Sequence, residues 1–195
     1  MGTVLEDGAN GTANKVGVTS GFRLQTAAVC QSEQHHASRN SGQAYQVQGN
    51  VALTAATKVA LHIKNTSSTR KLIVTYIRMQ VLDPAGGTAL PDSGNYMLLN
   101  FDQTLTSGGT TVTAVNMNRS SGNSADTTCT DNNPTLGGTA VEFDRWYLTA
   151  TNSEMMKYNK EGTLILGQND TLTIAAVTDQ TSGECQVRVS FYMEV

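Results

Sequence analysis

Charge is what this chain has least of. Of its 195 residues, 13 are Lys or Arg and 16 are Asp or Glu, so 15% are charged and the net charge is −3; soluble domains ordinarily carry roughly 25%. More acids than bases argues against broad nucleic-acid binding through counterion release. Near-neutrality with 38% apolar residues argues against charge-driven disorder. No run in the sequence approaches the ~18 apolar residues of a membrane-spanning helix. Cysteines are only three, Cys30, Cys129 and Cys185, with no CxxC pair, which leaves zinc-ribbon and thioredoxin readings unsupported. The N-terminus Met1-Gly2-Thr3-Val4-Leu5-Glu6-Asp7 has neither the basic nor the apolar region of a signal peptide. The expectation is therefore folding in a reducing cytoplasm with free thiols. With three prolines, edge protection falls to twist, charge or burial in an assembly. Helical periodicity is nearly absent, and the single candidate is one turn over 152–158, capped by Ser153.

What fills the gap is Thr, Ser, Asn, Gln and 18 Gly. Residues 1–50 scatter their apolar side chains with no sustained period and read as an extended arm that gains order on its own core or on a neighbour. From residue 51 the pattern changes to period two. Val59, Leu61 and Ile63 alternate with Lys58, Ala60, His62 and Lys64, as in a half-buried strand. The run 71–82 is β-branched and aromatic with both faces partly apolar, which marks a long central strand. Leu172, Ile174 and Ala176 form another, and Val187, Val189, Phe191 and Met193 give the clearest of all. Weaker strands are expected over 96–101, 110–117, 140–148 and 163–166. Gly-rich turns separate these runs, and two long loops, 83–95 and 118–133, are expected as functional surfaces or mobile tips. The fold expected is all-β: an antiparallel sandwich or jelly roll over 51–195 behind an N-terminal arm over 1–50.

Chemistry is hard to find. His35 and His36 are adjacent, so on an extended chain they point to opposite faces and do not chelate one ion. His62 stands alone on the polar face of its strand, which leaves the paired histidines of a cupin-type metal site missing. No GxSxG elbow occurs. Glu142 and Asp144, at i and i+2 on one face of a strand, are the best carboxylate pair for glycoside hydrolysis, although a salt-bridged edge strand explains them more simply. Residues 126–131 lack the calcium-loop pattern. Lys64, Arg70 and Lys71 bracket a turn and read as a solvated hairpin tip. The sequons at Asn10, Asn65, Asn118 and Asn169 carry no meaning without secretion. The reading assigns no catalytic residue, metal or cofactor.

One succession of residues does point somewhere. A Gly-rich start leads to Arg23-Leu24-Gln25-Thr26-Ala27, then to Glu33-x-His35-His36-Ala37-Ser38. Gly42-x-Ala44-Tyr45, Leu61-His62-Ile63-Lys64-Asn65 and Leu72-Ile73-Val74 follow. Over about residues 20–80 this resembles small virion proteins of tailed bacteriophages, whose domains are jelly-roll sandwiches. They serve as capsid decoration (cement) proteins or, less often, as tail-fibre accessory modules. The resemblance implies a structural virion protein rather than an enzyme. Its partners would be the major capsid protein and its own copies in a homotrimer, with no nucleic acid, membrane or cofactor, and it would assemble in the host cytoplasm. Val4, Leu5, Phe22 and Leu24 are the expected apolar anchors of the arm. The alternative is a carbohydrate- or receptor-binding module of a tail fibre. That would call for exposed aromatics in the long loops, which hold none, while Trp146 and Tyr147 are expected in the core.

Overall fold

The computed structural model describes residues 17–18, 24–25, 33–39, 41–82, 94–148 and 156–194. The chain divides into one unit over Met1–Ser32 and a second over Glu33–Val195. In the first, β1 (Gly17–Val18) and β2 (Leu24–Gln25) pair antiparallel, with Leu24 opposite Val18. The other anchors expected for the arm, Val4, Leu5 and Phe22, lie outside the described residues.

The second unit opens with a helix, α1 (Glu33–Arg39), followed by β3 (Ala44–Ala52), β4 (Lys58–Asn65), β5 (Lys71–Leu82) and β6 (Tyr96–Phe101). Five short strands come next: β7 (Thr104–Ser107), β8 (Thr110–Val112), β9 (Val115–Asn116), β10 (Thr127–Asp131) and β11 (Thr135–Gly137). The chain closes with β12 (Val141–Tyr147), β13 (Met156–Leu166), β14 (Thr171–Val177) and β15 (Glu184–Glu194).

Strand order identifies the topology. One sheet reads β13-β5-β15-β3-β9 and the other β12-β6-β14-β4-β10-β8. Among the eight long strands the first pairs with the last (β3 with β15), the second with the seventh (β4 with β14), the third with the sixth (β5 with β13) and the fourth with the fifth (β6 with β12). All four pairings are antiparallel. A hairpin folded over on itself in this way is a jelly roll. The excursion between β6 and β12 adds β10 and β8 beside β4, β9 beside β3, and a separate β7–β11 ribbon.

Both sheets contribute to one core. Tyr45, Val47 and Val51 of β3, Ile77 and Met79 of β5, and Val187, Val189 and Phe191 of β15 meet Leu61 and Ile63 of β4, Met97 and Leu99 of β6, and Leu172 and Ile174 of β14. Alternate residues point inward, so Gln46, Gln48 and Asn50 leave the opposite face of β3 polar. Tyr45 stacks on Phe191 at 5.7 Å, and Trp146 meets Tyr158 at 4.4 Å, which ties β12 to β13. Gly49 faces the other sheet at close range: a Cβ there would stand 2.5 Å from the Ala60 carbonyl oxygen.

Several expectations change. The sheet begins at Ala44 and the second unit at Glu33, so the expected boundary at residue 50 cuts through β3. Its inward positions include Gly49, and Ala44 on the opposite face is buried under α1, so both weaken the period-two signal. The expected turn over 152–158 is contradicted at its end, where Met156 begins β13; residues 152–155 lie outside the described residues. A helix forms instead at Glu33–Arg39, where Ala37 packs against Ala44, Ile73 and Tyr192. His35 and His36 therefore sit on a helical turn, not on an extended chain.

The 118–133 segment is not simply a loop either. Thr127–Asp131 is a strand between β4 and β8, with Cys129 in the core. The residues before it are tied down by side-chain amides. Asn118 Nδ2 donates to the Ser38 carbonyl at 3.0 Å, Asn123 Nδ2 to Ser41 at 3.0 Å, and Asn116 Nδ2 to Gly42 at 2.8 Å.

Candidate functional site

Exposed large apolar side chains are few among the described residues, and they gather at the sheet margins. Val115 (51% exposed) lies on β9, with Met117 (47%) just beyond; Ile165 (47%) lies on β13; Val141 (47%) and Tyr147 (50%) lie on β12. β9 and β13 are the two edges of one sheet, and β12 is an edge of the other. Only Leu105, on the β7–β11 ribbon, falls outside this set. Edge strands already offer unpaired backbone groups, so side chains that gain by leaving water stand beside open hydrogen-bonding positions. Both β12 and β13 carry bulges, after Glu142 and after Asn159, which bend the edge and favour side-chain contacts over simple strand addition.

The bulge in β12 also decides the carboxylate pair. Glu142 pairs with Asn100 while Asp144 pairs with Leu99, leaving Phe143 as the extra residue. Asn100 and Leu99 are consecutive, so Glu142 and Asp144 stand on opposite faces and the expected one-face arrangement is overturned. Phe143 stacks on Phe101 at 4.1 Å, and burial of that ring explains the bulge. Arg145 donates two hydrogen bonds to Glu142, at 2.8 and 2.7 Å. That contact holds the Glu142 carboxyl below its usual range. The Arg145 guanidinium also lies 4.3 Å from the Tyr96 ring centre, and Tyr96 meets Tyr147 edge-on at 5.8 Å. Trp146 packs against the core as expected, whereas Tyr147 faces outward.

His62 corrects a second placement. It is 1% exposed, because β4 is covered on both faces from Ala60 to Ile63. Its Nε2 lies 3.1 Å from the Gln103 carbonyl oxygen; a carbonyl only accepts, so Nε2 carries the proton. Burial lowers the His62 pKa, partly offset by that hydrogen bond. His62 belongs to a polar row across the sheet: Asn100, Thr173, His62 and Thr130 are successive cross-strand partners, all buried. Within it His62 Nδ1, Thr173 Oγ1 and Asn100 Oδ1 have no hydrogen-bond partner.

Arg70 is more than part of a hairpin tip. Its guanidinium meets Asp126 at 2.5 Å and also donates to Gln43 Oε1, which accepts from the Tyr45 hydroxyl at 3.0 Å. Asn65 is buried, donating to the carbonyls of Arg70 and Leu166 at 3.0 and 2.9 Å, so that sequon is closed in the fold. Cys129 and Cys185 are buried free thiols, pushed up by burial to about 11 and about 12. Among the described residues no three His, Cys, Asp or Glu gather as metal ligands, and no helix is long and apolar enough to cross a membrane.

Comparison with protein-family models, with curated proteins and with solved structures finds no match to this chain.

Proposed function

We propose that this chain is a structural virion protein of decoration type, which binds the outside of a tailed-phage capsid as a homotrimer and braces the shell. Its partners are the major capsid protein and its own copies. One observation carries the reading: apolar side chains stand half-exposed on the outermost strands β9, β12 and β13, where a neighbouring copy or a coat subunit would cover them. The jelly-roll topology agrees with it, since this architecture recurs in viral capsid and lectin domains; fold by itself does not assign function. Val4, Leu5, Phe22 and Leu24 are the proposed anchors of the N-terminal segment on the lattice. Co-sedimentation with shells stripped of decoration tests both parts. Full-length protein is expected to pellet with shells, and a chain lacking residues 1–25 to bind more weakly. Failure of the full-length protein to bind overturns the reading; equal binding by the truncated chain overturns the role of the anchors.

Tyr147 favours a second reading. A half-exposed tyrosine beside Tyr96 and the Arg145–Glu142 pair is a surface on which a sugar ring could stack, as in a tail-fibre module. A glycan array separates this reading from the first.

A further inference from the structure

The outer face of the five-stranded sheet carries a row of cations. Register places Lys157 of β13 opposite Arg78 of β5, Arg78 opposite Arg188 of β15, and Arg188 opposite Gln48 of β3. Partners in register share a face and stand one inter-strand spacing apart, about 4.8 Å. Like charges directly opposite each other destabilise a sheet, and in a chain of net charge −3 nothing in the composition demands them. Among the described residues no carboxylate forms an ion pair with the row. The ion pairs among the described residues are Arg70–Asp126 and Arg145–Glu142. Glu184, on the same face of β15 four residues from Arg188, already accepts hydrogen bonds from Asn50 and Gln186.

The row is held in shape. Arg78 lies with its guanidinium 5.0 Å from the Tyr76 ring centre, and Arg188 donates to Gln48 Oε1 at 2.9 Å. Between the two arginines runs a groove of about 110 Å³, with the Gln80 and Gln186 amides on its walls. We propose that this groove binds an acidic glycan, with the guanidinium forks of Arg78 and Arg188 gripping a uronate carboxylate and Lys157 meeting a second anionic group along the chain.

Three features select this occupant. A planar guanidinium pairs with a planar carboxylate through two parallel hydrogen bonds. The glutamine amides both donate and accept, which suits the hydroxyls flanking a sugar acid. A nucleic acid would look for aromatic stacking platforms, and a protein partner for a large apolar anchor. None of the exposed large apolar residues lines the groove. The arginine groove lies on the inner strands β5, β15 and β3, with only Lys157 on the edge strand β13, and the proposal does not depend on the shell-binding reading.

Calorimetric titration at low salt tests it with tetragalacturonate as probe. A neutral tetrasaccharide, a heparin tetrasaccharide, oligo-dT and poly-glutamate serve as competing arms. The wild-type chain is expected to bind tetragalacturonate in preference to every other probe, with affinity falling as salt is added. Arg78→Gln/Arg188→Gln should lose about tenfold or more in affinity, the scale of a broken charge-assisted pair. Lys58→Gln, on β4 of the other sheet, should bind as wild type does. Because the double variant removes opposed like charges, its melting temperature should be no lower than wild type's, which separates lost binding from lost fold. Lys157→Gln offers a milder variant of the same row and should weaken binding less. Absence of binding to tetragalacturonate, unchanged affinity in the double variant, or tighter binding of any other probe would overturn the proposal.

Discussion

At the residue scale, Gly49 is held by a close approach rather than by an unusual backbone angle. A methyl group there would meet the Ala60 carbonyl oxygen and crowd Asp131 and Leu61, and backbone cannot swing aside as a side-chain tip can. Gly49→Ala is expected to cost about 1–3 kcal/mol, the range of overpacked cores, read as a lower denaturation midpoint at unchanged slope. His62 makes a prediction with a definite sign. Burial lowers its pKa in the fold, while the unfolded chain titrates near the ordinary ~6.5. The stability at stake is fully present above that value and declines as pH falls below it, because the unfolded chain takes up a proton that the fold resists. Wild type should therefore lose more stability between pH 7 and 5 than His62→Gln; parallel curves would show that His62 carries no such burden. Cys129 and Cys185, with thiols raised by burial to about 11 and about 12, should resist alkylation at pH 8 in the native protein and react once it is denatured. Rapid native modification at either would contradict the packing described.

At the scale of elements, the sequence was most readable where one face meets the core and the other meets water. The alternation of Val187, Val189, Phe191 and Met193 marks β15, and 96–101 coincides with β6. Legibility failed for β4, where period two suggested a wet face but the structure buries His62 between its neighbours and Gln103. It failed again at β12, because a bulge flips every residue beyond it and no local pattern announces one. Helix α1 is seven residues long, too short to stand on propensity, and exists because Ala37 finds Ala44, Ile73 and Tyr192. The segment around 118–123 reads as a floppy Ser/Asn-rich loop, yet Asn116, Asn118 and Asn123 lash it to the backbone at 38–42. Asn118→Ala should remove about 1 kcal/mol of stability and speed amide exchange across 38–42. Exchange unchanged there would mean that the amide clamp holds nothing.

At the scale of the whole molecule, composition and turn spacing suffice for an all-β sandwich, but the pairing of β3 with β15 and of β5 with β13 joins residues far apart in the chain, and only the fold reveals it. The same is true of the basic row: Lys157, Arg78 and Arg188 are scattered in sequence and become neighbours through register alone. The edge residues were legible only as members of weak strands, because nothing local distinguishes an edge from a centre. Their exposure leads to the assembly prediction. Val141→Lys with Ile165→Lys places charges on β12 and β13 at positions already open to water, so it should leave the monomer folded while breaking association. Mass photometry of the purified chain, wild type beside that double variant, tests the account most directly. A wild-type particle of about three times the 20.7 kDa chain mass is expected, with the variant shifted to single chains. A wild-type protein that stays at single-chain mass across the accessible concentration range would contradict it.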